Sequence, residues 1–272
     1  MNETLLTLNG QHYKMSYMQT IKSLAKNPSL LNGKKHLFLL SHMRANTSLM
    51  GHLLGSHPEI NGYYEMHIGY YSSKSLLRQK ALYCEAHSLK AKSTYMFDKV
   101  LHNEHEVTDA MLTNSRCHFL ISIRAPEYAV PSIVSLYRKA HPKHEFIEPK
   151  SAAHYYCQRL EALASMVKRC AFDYLYLDAD VIKVNPSETL ERLTSYLALS
   201  SPLTSRYEKM HNTGKAKAGD SSSSLMSGEI IQSSLPSVSL EYEQEDFFKR
   251  CHETYLITRE TLASYTQKRI ML

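Results

Sequence analysis

Two groups of polar residues in this sequence have the types and spacing to bind an anionic ligand. The first is a turn at residues 44–48, which follows an apolar run at residues 36–40 and precedes a helical pattern. A helix N-terminus presents unpaired N–H groups and a partial positive charge, and an arginine adds a planar cation that suits phosphate or sulfate. The turn, which consists of Arg44, Ala45, Asn46, Thr47 and Ser48, therefore predicts a site for the anionic part of a nucleotide.

The second group combines an arginine and a serine. Arg124 follows a predicted buried strand at residues 117–123, and Ser132 comes eight residues later on the next predicted helix. Two donors at this spacing can converge on one phosphate in the crevice between a strand and its helix. Each residue alone is also compatible with an ordinary surface position, so the prediction depends on both groups occurring in one chain.

The elements that must position these groups alternate between strand and helix. Apolar runs predict buried strands at residues 36–40, 94–97, 117–123 and 174–177. Helical periodicity predicts helices at residues 47–56, 72–93, 128–140 and 152–170, another one capped by Ser187, and a last one near the C-terminus. This alternation indicates an α/β fold with a central parallel β-sheet flanked by helices.

The length of 272 residues suits a single domain over residues 1–272. Residues 1–34 are polar and are interpreted as an N-terminal extension. Residues 205–240 are rich in serine and glycine and have few apolar anchors, so we expect a flexible loop or lid there.

Composition narrows the class of partner. The net charge of +6 comes from lysines and arginines that are spread along the chain, so we expect no nucleic-acid binding, and a polyanionic cofactor explains the charge as well. His102 and His105 lack a HExxH pattern and nearby cysteine ligands, so no metal is expected. We also expect no membrane span. Five cysteines without a CxxC pair and the lack of a secretory-signal pattern predict a cytoplasmic protein.

Taken together, the two groups resemble the sulfotransferases that use 3′-phosphoadenosine-5′-phosphosulfate (PAPS). Residues 44–48 are similar to the 5′-phosphosulfate loop of that family, usually Arg or Lys followed by Ser-Gly-Thr-Thr, and Arg124 with Ser132 are similar to its 3′-phosphate motif. His57-Pro58-Glu59, residues 180–199 and residues 213–221 resemble further segments of bacterial members, so the likeness covers roughly residues 35–225. Ala179 stands where many relatives place an adenine-contacting tyrosine, which leaves the adenine contacts open.

The resemblance implies a P-loop-like sulfotransferase fold of the bacterial or tyrosylprotein type, with PAPS as donor and adenosine 3′,5′-bisphosphate as product. It implies that residues 44–48 hold the 5′-phosphosulfate, that Arg124 and Ser132 hold the 3′-phosphate, and that Lys215 and Lys217 close over the phosphates. Asn46 replaces the usual glycine, and asparagine tolerates left-handed backbone.

The resemblance also implies catalytic residues. Glu65 lies 21 residues after Arg44 and matches the glutamate that some members use as base, while His67 is the rival because other branches use histidine. A carboxylate needs a raised pKa to serve as a base near neutrality, which partial burial can supply. Lys99 resembles the lysine that stabilises the leaving oxygen, and Arg44 would also contact the transferring group.

We therefore expect transfer of a sulfuryl group to a hydroxyl or amine of a small-molecule or carbohydrate acceptor. Two other classes of function remain open from the sequence. A P-loop nucleotide kinase or other phosphotransferase is disfavoured because the turn lacks GK[ST]. A non-catalytic nucleotide- or carbohydrate-binding protein would follow if Glu65, His67 and Lys99 pointed away from the turn. The acceptor and the oligomeric state do not follow from the sequence.

Overall fold

The computed structural model describes residues 33–210, 213, 224–235 and 242–272, together with two short strands near the N-terminus. These two strands, β1 (Leu6–Leu8) and β2 (Gln11–Tyr13), pair antiparallel with each other.

A six-stranded sheet forms the centre of the fold. Its strands are β3 (Lys35–Leu40), β4 (Ile60–Asn61), β5 (Tyr95–Val100), β6 (Cys117–Ile123), β7 (Tyr174–Asp178) and β8 (Arg269–Ile270). The strand order is β4-β5-β3-β6-β7-β8, and every pair is parallel. The α/β fold with a parallel sheet is thus confirmed. After β3 the chain continues to β4, on the β5 side of the sheet, and after β6 it continues to β7, on the other side. The two connections therefore diverge beyond the carboxyl ends of β3 and β6, where ligands bind in such sheets.

Helices cover both faces of this sheet. They are α1 (Thr47–Ser56), α2 (Ser73–Ala86), α3 (Asp109–Leu112), α4 (Pro126–Ala140), α5 (Pro149–Arg169), α6 (Val181–Val184), α7 (Pro186–Leu197) and α8 (Asp246–Ser264), with 3₁₀ turns at Glu145–Ile147 and Leu225–Ser227. Side chains of α2, α4, α5 and α8 form the core on one face. Side chains of α1, α6 and α7 form the core on the other face. The strands are therefore buried on both sides, which explains their continuous apolar runs.

Two local predictions were wrong. The helix predicted over residues 72–93 ends at Ala86, because the segment after it is held elsewhere: Lys90 donates its N–H to Asn61 Oδ1 at 3.0 Å and its ammonium to the carbonyl of His57 at 3.0 Å. Ser187 does not cap the helix α7: the N-cap position is Asn185, and no side chain makes a capping hydrogen bond there. Its first residue is a proline, which suits the first helical position because no N–H is needed there.

The described parts of residues 205–240 are irregular except for the 3₁₀ turn at Leu225–Ser227. Tyr207, Leu225 and Ile230 are nevertheless buried against the core on the α1 face. A flexible lid in this region stays a prediction. Among the described residues, no helix combines the length and the apolar character that crossing a bilayer requires.

The close contact between α1 and the segment after β4 leads to a stability prediction. A Cβ atom at Gly51 would overlap the carbonyl oxygen of Tyr63, which belongs to the backbone and cannot rotate away. We expect Gly51→Ala to lower the free energy of unfolding by about 1–3 kcal/mol, although alanine favours helices over glycine by about 1 kcal/mol.

Urea denaturation monitored by circular dichroism measures this difference. Gly33→Ala is the matched control, because a Cβ atom there meets no heavy atom within 4 Å. Equal stability of the Gly51→Ala variant and the parent protein would contradict the proposed overlap.

Candidate active site

The predicted anion-binding turn lies between β3 and α1. Arg44 and Asn46 both adopt left-handed backbone, with φ of 64° and 53°. Asn46 is the N-cap residue of α1, and its carbonyl accepts the first helical hydrogen bond from Met50. Asparagine is one of the few residues other than glycine that adopt this conformation readily, so Asn46 is compatible with the turn. The turn presents the N-terminus of a ten-residue helix to the carboxyl edge of the sheet.

Side chains from outside the turn hold it on both sides. The Asn46 amide donates to the carbonyl of Ala179 at 2.9 Å and to Asp180 Oδ1 at 2.8 Å, after the end of β7. The Met43 N–H donates to the hydroxyl of Tyr155 at 2.9 Å. The turn is thus attached to the segment beyond β7 on one side and to helix α5 on the other.

The two groups of residues that were predicted to bind phosphates lie in contact at this turn. Arg44 donates from Nε to Ser132 Oγ at 2.8 Å. Arg124 donates from Nη1 to the carbonyl oxygen of Arg44 at 3.3 Å. Residues 88 and 80 positions apart in sequence are therefore adjacent. The Arg44 guanidinium, which was predicted to bind the 5′-phosphosulfate, therefore contacts the serine that was predicted to bind the 3′-phosphate.

Asp180 is an addition that the sequence did not predict. Arg124 donates from Nε to both carboxylate oxygens of Asp180, at 2.9 and 3.1 Å, and its guanidinium lies 5.2 Å from the centre of the Tyr128 ring. These contacts orient the fork of Arg124. The feature of the sequence that could have pointed to Asp180 is its position just beyond a buried strand, next to Ala179.

A buried neutral histidine joins the two segments through the backbone. His42 is fully buried, and burial lowers its pKa to about 3. The neutral ring carries one N–H, so Nδ1 donates to the carbonyl of Met43 at 2.8 Å, and Nε2 accepts the N–H of Arg124 at 2.9 Å. The end of β6 is thereby attached to the start of the turn.

The second half of the site is a carboxylate with two histidines. Glu65 Oε1 lies 3.7 Å from His67 Nδ1 and 3.7 Å from His102 Nε2, and this buried oxygen has no hydrogen-bond partner among the described residues. Burial raises the pKa of Glu65, while the charges of His102 and Lys99 oppose the rise. A raised pKa is what a carboxylate base requires near neutrality.

His67 and Lys99 share this region. His67 has left-handed backbone with φ of 53°, and burial followed by the charge of Lys99 lowers its pKa below the usual value. Lys99 lies near the carboxyl end of β5 and is only 7% exposed. A cation placed beside a buried carboxylate at this edge can stabilise negative charge that develops on a ligand.

Helix α5 connects the Glu65 region with the turn. The Tyr155 hydroxyl donates to the carbonyl of Leu101 at 2.9 Å, and its ring lies 5.4 Å from the ring of His102. Arg159, which is buried, donates to the carbonyls of Ser41 and Val100 at 2.8 and 2.6 Å. The ends of β3 and β5 are therefore held together. Sequence reasoning missed Arg159, although a cation on the apolar face of a helix is an unusual feature.

A cavity opens beside the turn on the α1 face of the sheet. Its volume is about 130 Å³, and its lining includes Asn46, Leu49, Lys183 and Tyr207. His52 in α1 contacts Thr213 Oγ1 through Nε2 at 2.8 Å. Lys215 and Lys217, which were predicted to contact phosphates, lie outside the described residues.

The remaining predicted residues have simpler surroundings. Thr47 is buried and Ser48 is half-buried in the first turn of α1, and Ala45 is buried beneath the turn. Glu59 accepts hydrogen bonds from the N–H and hydroxyl of Ser200, both at 2.7 Å, so it attaches the start of β4 to the segment after α7. No group of three or more His, Cys, Asp or Glu side chains arranged to hold a metal occurs within the described ranges.

Comparisons with known proteins agree with this architecture. No protein-family model matches the sequence, and no curated protein matches it. The structure is similar to the sulfotransferase domain from the curacin biosynthetic pathway, with a TM-score of 0.57 over 82% of this chain and 98% of that domain, at 12% identity. Mouse sulfotransferase SULT7A1, solved in complex with PAP, matches with a TM-score of 0.44 over 72% of this chain and 70% of its own, at 14% identity. The chain has the fold of a sulfotransferase domain, as the sequence predicted.

Proposed function

We propose that this chain transfers a sulfuryl group from PAPS to a hydroxyl or amine acceptor. The observation that carries the proposal is the meeting of two arginines at the N-terminus of α1, at the same edge of the sheet as a largely buried carboxylate and a buried lysine. Arg44 contacts Ser132 and Arg124, while Glu65 and Lys99 lie at the same edge of the sheet. The two arginines and Ser132 suit the binding of two phosphates, while Glu65 suits proton transfer and Lys99 suits charge stabilisation.

The donor would be held by the turn and the two arginines. The N–H groups at the start of α1, with Thr47 and Ser48, suit the 5′-phosphosulfate. Arg124 and Ser132 suit the 3′-phosphate, since a guanidinium and a hydroxyl can bind one phosphate together. Bound there, the donor supplies an activated sulfuryl group.

The cavity beside Asn46 supports a place for the nucleoside. Its lining combines apolar residues such as Leu49 with Lys183 and Tyr207. Ala179 itself is buried and uses its carbonyl to hold Asn46, so the adenine contacts would come from the cavity walls instead. We also keep the proposal that Lys215 and Lys217 close over the phosphates.

The chemistry would need little covalent participation by the protein. The acceptor oxygen or nitrogen forms a bond to sulfur while the bond from sulfur to the bridging oxygen of the donor breaks. Glu65, or alternatively His67, accepts the proton from the acceptor. Lys99 stabilises the charge that develops on the bridging oxygen, and Arg44 stabilises the transferring group.

A row of rings beside Glu65 supports a polar small-molecule or carbohydrate acceptor. Ring centres follow one another from His102 to Tyr155, Phe146, Tyr137 and His144, at 5.4, 5.3, 5.1 and 4.4 Å. Aromatic faces pack against apolar faces of a ligand, and the imidazoles and hydroxyls can bind its polar groups.

The test is calorimetry with adenosine 3′,5′-bisphosphate and adenosine 5′-monophosphate. The 3′-phosphate should increase affinity by about 10- to 100-fold, because charged hydrogen bonds contribute about 1.5–3 kcal/mol. Arg124→Ala should remove that increase, and Ser132→Ala should reduce it. Ser132→Ala is the milder change, because removing Arg124 also leaves the Asp180 carboxylate without its ion pair.

Arg116→Ala is the matched control, because Arg116 is exposed just before β6, at the amino ends of the strands and therefore away from the turn. Equal affinity of the unaltered protein for the two nucleotides would rule out the donor assignment. A transfer assay with labelled donor and a panel of hydroxyl and amine acceptors then tests the reaction itself.

A further inference from the structure

Asp98, in β5, is a buried carboxylate that joins both candidate catalytic groups. Its Oδ1 accepts the N–H of Met66 at 2.9 Å and the N–H of Lys99 at 2.7 Å. Its other oxygen accepts the hydroxyl of Tyr70. Met66 lies between Glu65 and His67 in the chain, so one carboxylate oxygen connects the backbone of that segment to the backbone of Lys99.

A carboxylate at this position costs stability. Asp98 is fully buried, and its partner in the register of β3 is Phe38. The pKa of Asp98 is raised to about 7, chiefly by burial and also by the nearby charge of Glu65, although the hydrogen bonds from Tyr70, Met66 and Lys99 oppose the rise. Apolar residues fill most of the buried strand, so an acidic side chain here requires a reason other than packing.

Tyr70 extends the connection to the loop that carries His102. The Tyr70 N–H donates to the carbonyl of Glu106 at 2.7 Å, and its carbonyl accepts the N–H of Thr108 at 3.1 Å. Asp98 therefore joins the end of β5 directly to the segment that carries Glu65, and Tyr70 of that segment connects it indirectly to the loop after β5.

We propose that Asp98 is a positioning residue that sets the placement of Glu65 relative to Lys99 through its shared carboxylate oxygen. This proposal rests on the proposed function, in which the two side chains act on opposite ends of the transferring group. Small displacements of catalytic groups lower rates strongly, by about 10²-fold for about 1 Å. The buried carboxylate lowers stability, and in return it keeps Glu65 and Lys99 at a fixed separation.

Two variants of similar shape distinguish the effect of the hydrogen-bond-accepting oxygen of Asp98 from the effect of its side-chain volume. Asp98→Asn retains a carbonyl oxygen that can accept both N–H groups, whereas Asp98→Leu retains the branching and removes the acceptor. We expect kcat to fall by about 100-fold in Asp98→Leu and by less than about 5-fold in Asp98→Asn. The KM for the donor and the affinity for adenosine 3′,5′-bisphosphate should stay within about threefold in both, because the turn at residues 44–48 is not contacted by Asp98.

Hydrogen exchange gives a readout that does not need activity. The amides of Met66 and Lys99 should exchange at least about tenfold faster in Asp98→Leu than in the parent protein, and at the parent rate in Asp98→Asn. If Asp98→Leu does not fold, Asp98→Ala replaces it in both measurements. Tyr70→Phe, which removes only the third hydrogen bond, should leave both amides protected.

The proposal is overturned if the amides stay protected in Asp98→Leu, or if kcat there falls less than about threefold. It is also overturned if Asp98→Asn loses as much kcat as Asp98→Leu while its amides stay protected, since charge and not placement would then matter. If the parent protein transfers no sulfuryl group, the proposed function fails, and the exchange rates alone still decide whether Asp98 holds the two segments together.

Discussion

Replacement of Glu65 by glutamine should lower the rate of sulfuryl transfer by about 10²- to 10⁴-fold, the usual contribution of a general base. The glutamine has the same shape but cannot accept the proton of the acceptor. Nucleotide affinity should be unchanged, because the residues proposed to bind the donor lie at the turn and not at Glu65. Steady-state kinetics with labelled donor measures the effect on kcat.

The pH profile distinguishes this role from a structural one. Burial raises the pKa of Glu65, and a base acts only when deprotonated, so kcat/KM should fall as pH decreases through that raised value. The acidic limb should be absent in Glu65→Gln. Glu104→Gln is the matched control, because Glu104 is an exposed carboxylate in the same region. It should retain the rate and the acidic limb, with the limb moved to lower pH, since the charge of Glu104 helps to raise the pKa of Glu65.

His67 provides the competing assignment. Burial lowers the pKa of His67, so its ring is neutral at neutral pH and could also accept a proton. If His67→Ala abolishes turnover while Glu65→Gln retains it, the histidine is the base and Glu65 is not. If both variants lose activity, the loss of the acidic limb in Glu65→Gln identifies the carboxylate as the proton acceptor.

Replacement of Lys99 by methionine should lower kcat by about 10²- to 10³-fold, the range found when one group that stabilises developing charge is removed. Methionine retains most of the length and the apolar part of the side chain, so the buried position should remain filled. The ammonium is already inside the site at a position that is 7% exposed, where its charge acts through little water. Single-turnover measurements with saturating donor isolate the transfer step.

Lys92→Met is the control for this variant, because Lys92 is an exposed lysine in the same part of the chain, just before β5. It should leave kcat unchanged. A wild-type rate in Lys99→Met would exclude a role for the ammonium in leaving-group stabilisation. A loss confined to donor affinity would instead assign Lys99 to nucleotide binding.

Much of the fold was predictable from local patterns. The buried strand at Cys117–Ile123 and the helix at Thr47–Ser56 have the predicted bounds, because continuous apolar runs and helical periodicity are properties of adjacent residues. The edge strands β4 and β8 were not predicted, since a strand of two residues has no period to detect. The early end of α2 was also missed, because Lys90 is held by residues far from it in sequence.

The candidate site divides in the same way. Arg44, Arg124 and Lys99 could be found because each lies at or beyond the carboxyl end of a buried strand, which is a local feature. The roles of Asp98, Tyr155 and Arg159 could not be found this way. Each of these side chains bonds to backbone groups in another segment, so its partner depends on strand order and helix docking. Asp180 combines both cases, since its position after β7 could be predicted from the sequence but its contact with Arg124 could not.

By itself the sequence determined the units of strand, turn and helix and the polar residues at their junctions, because backbone preferences and apolar periodicity act over a few residues. Only the tertiary structure decided which of these residues meet. The divergence of the connections from β3 and β6 brings Arg44 to Ser132 and Arg124, and burial raises the pKa of Glu65 against the opposing charges of His102 and Lys99. Contact and desolvation are properties of the packed molecule, so no local pattern contains them.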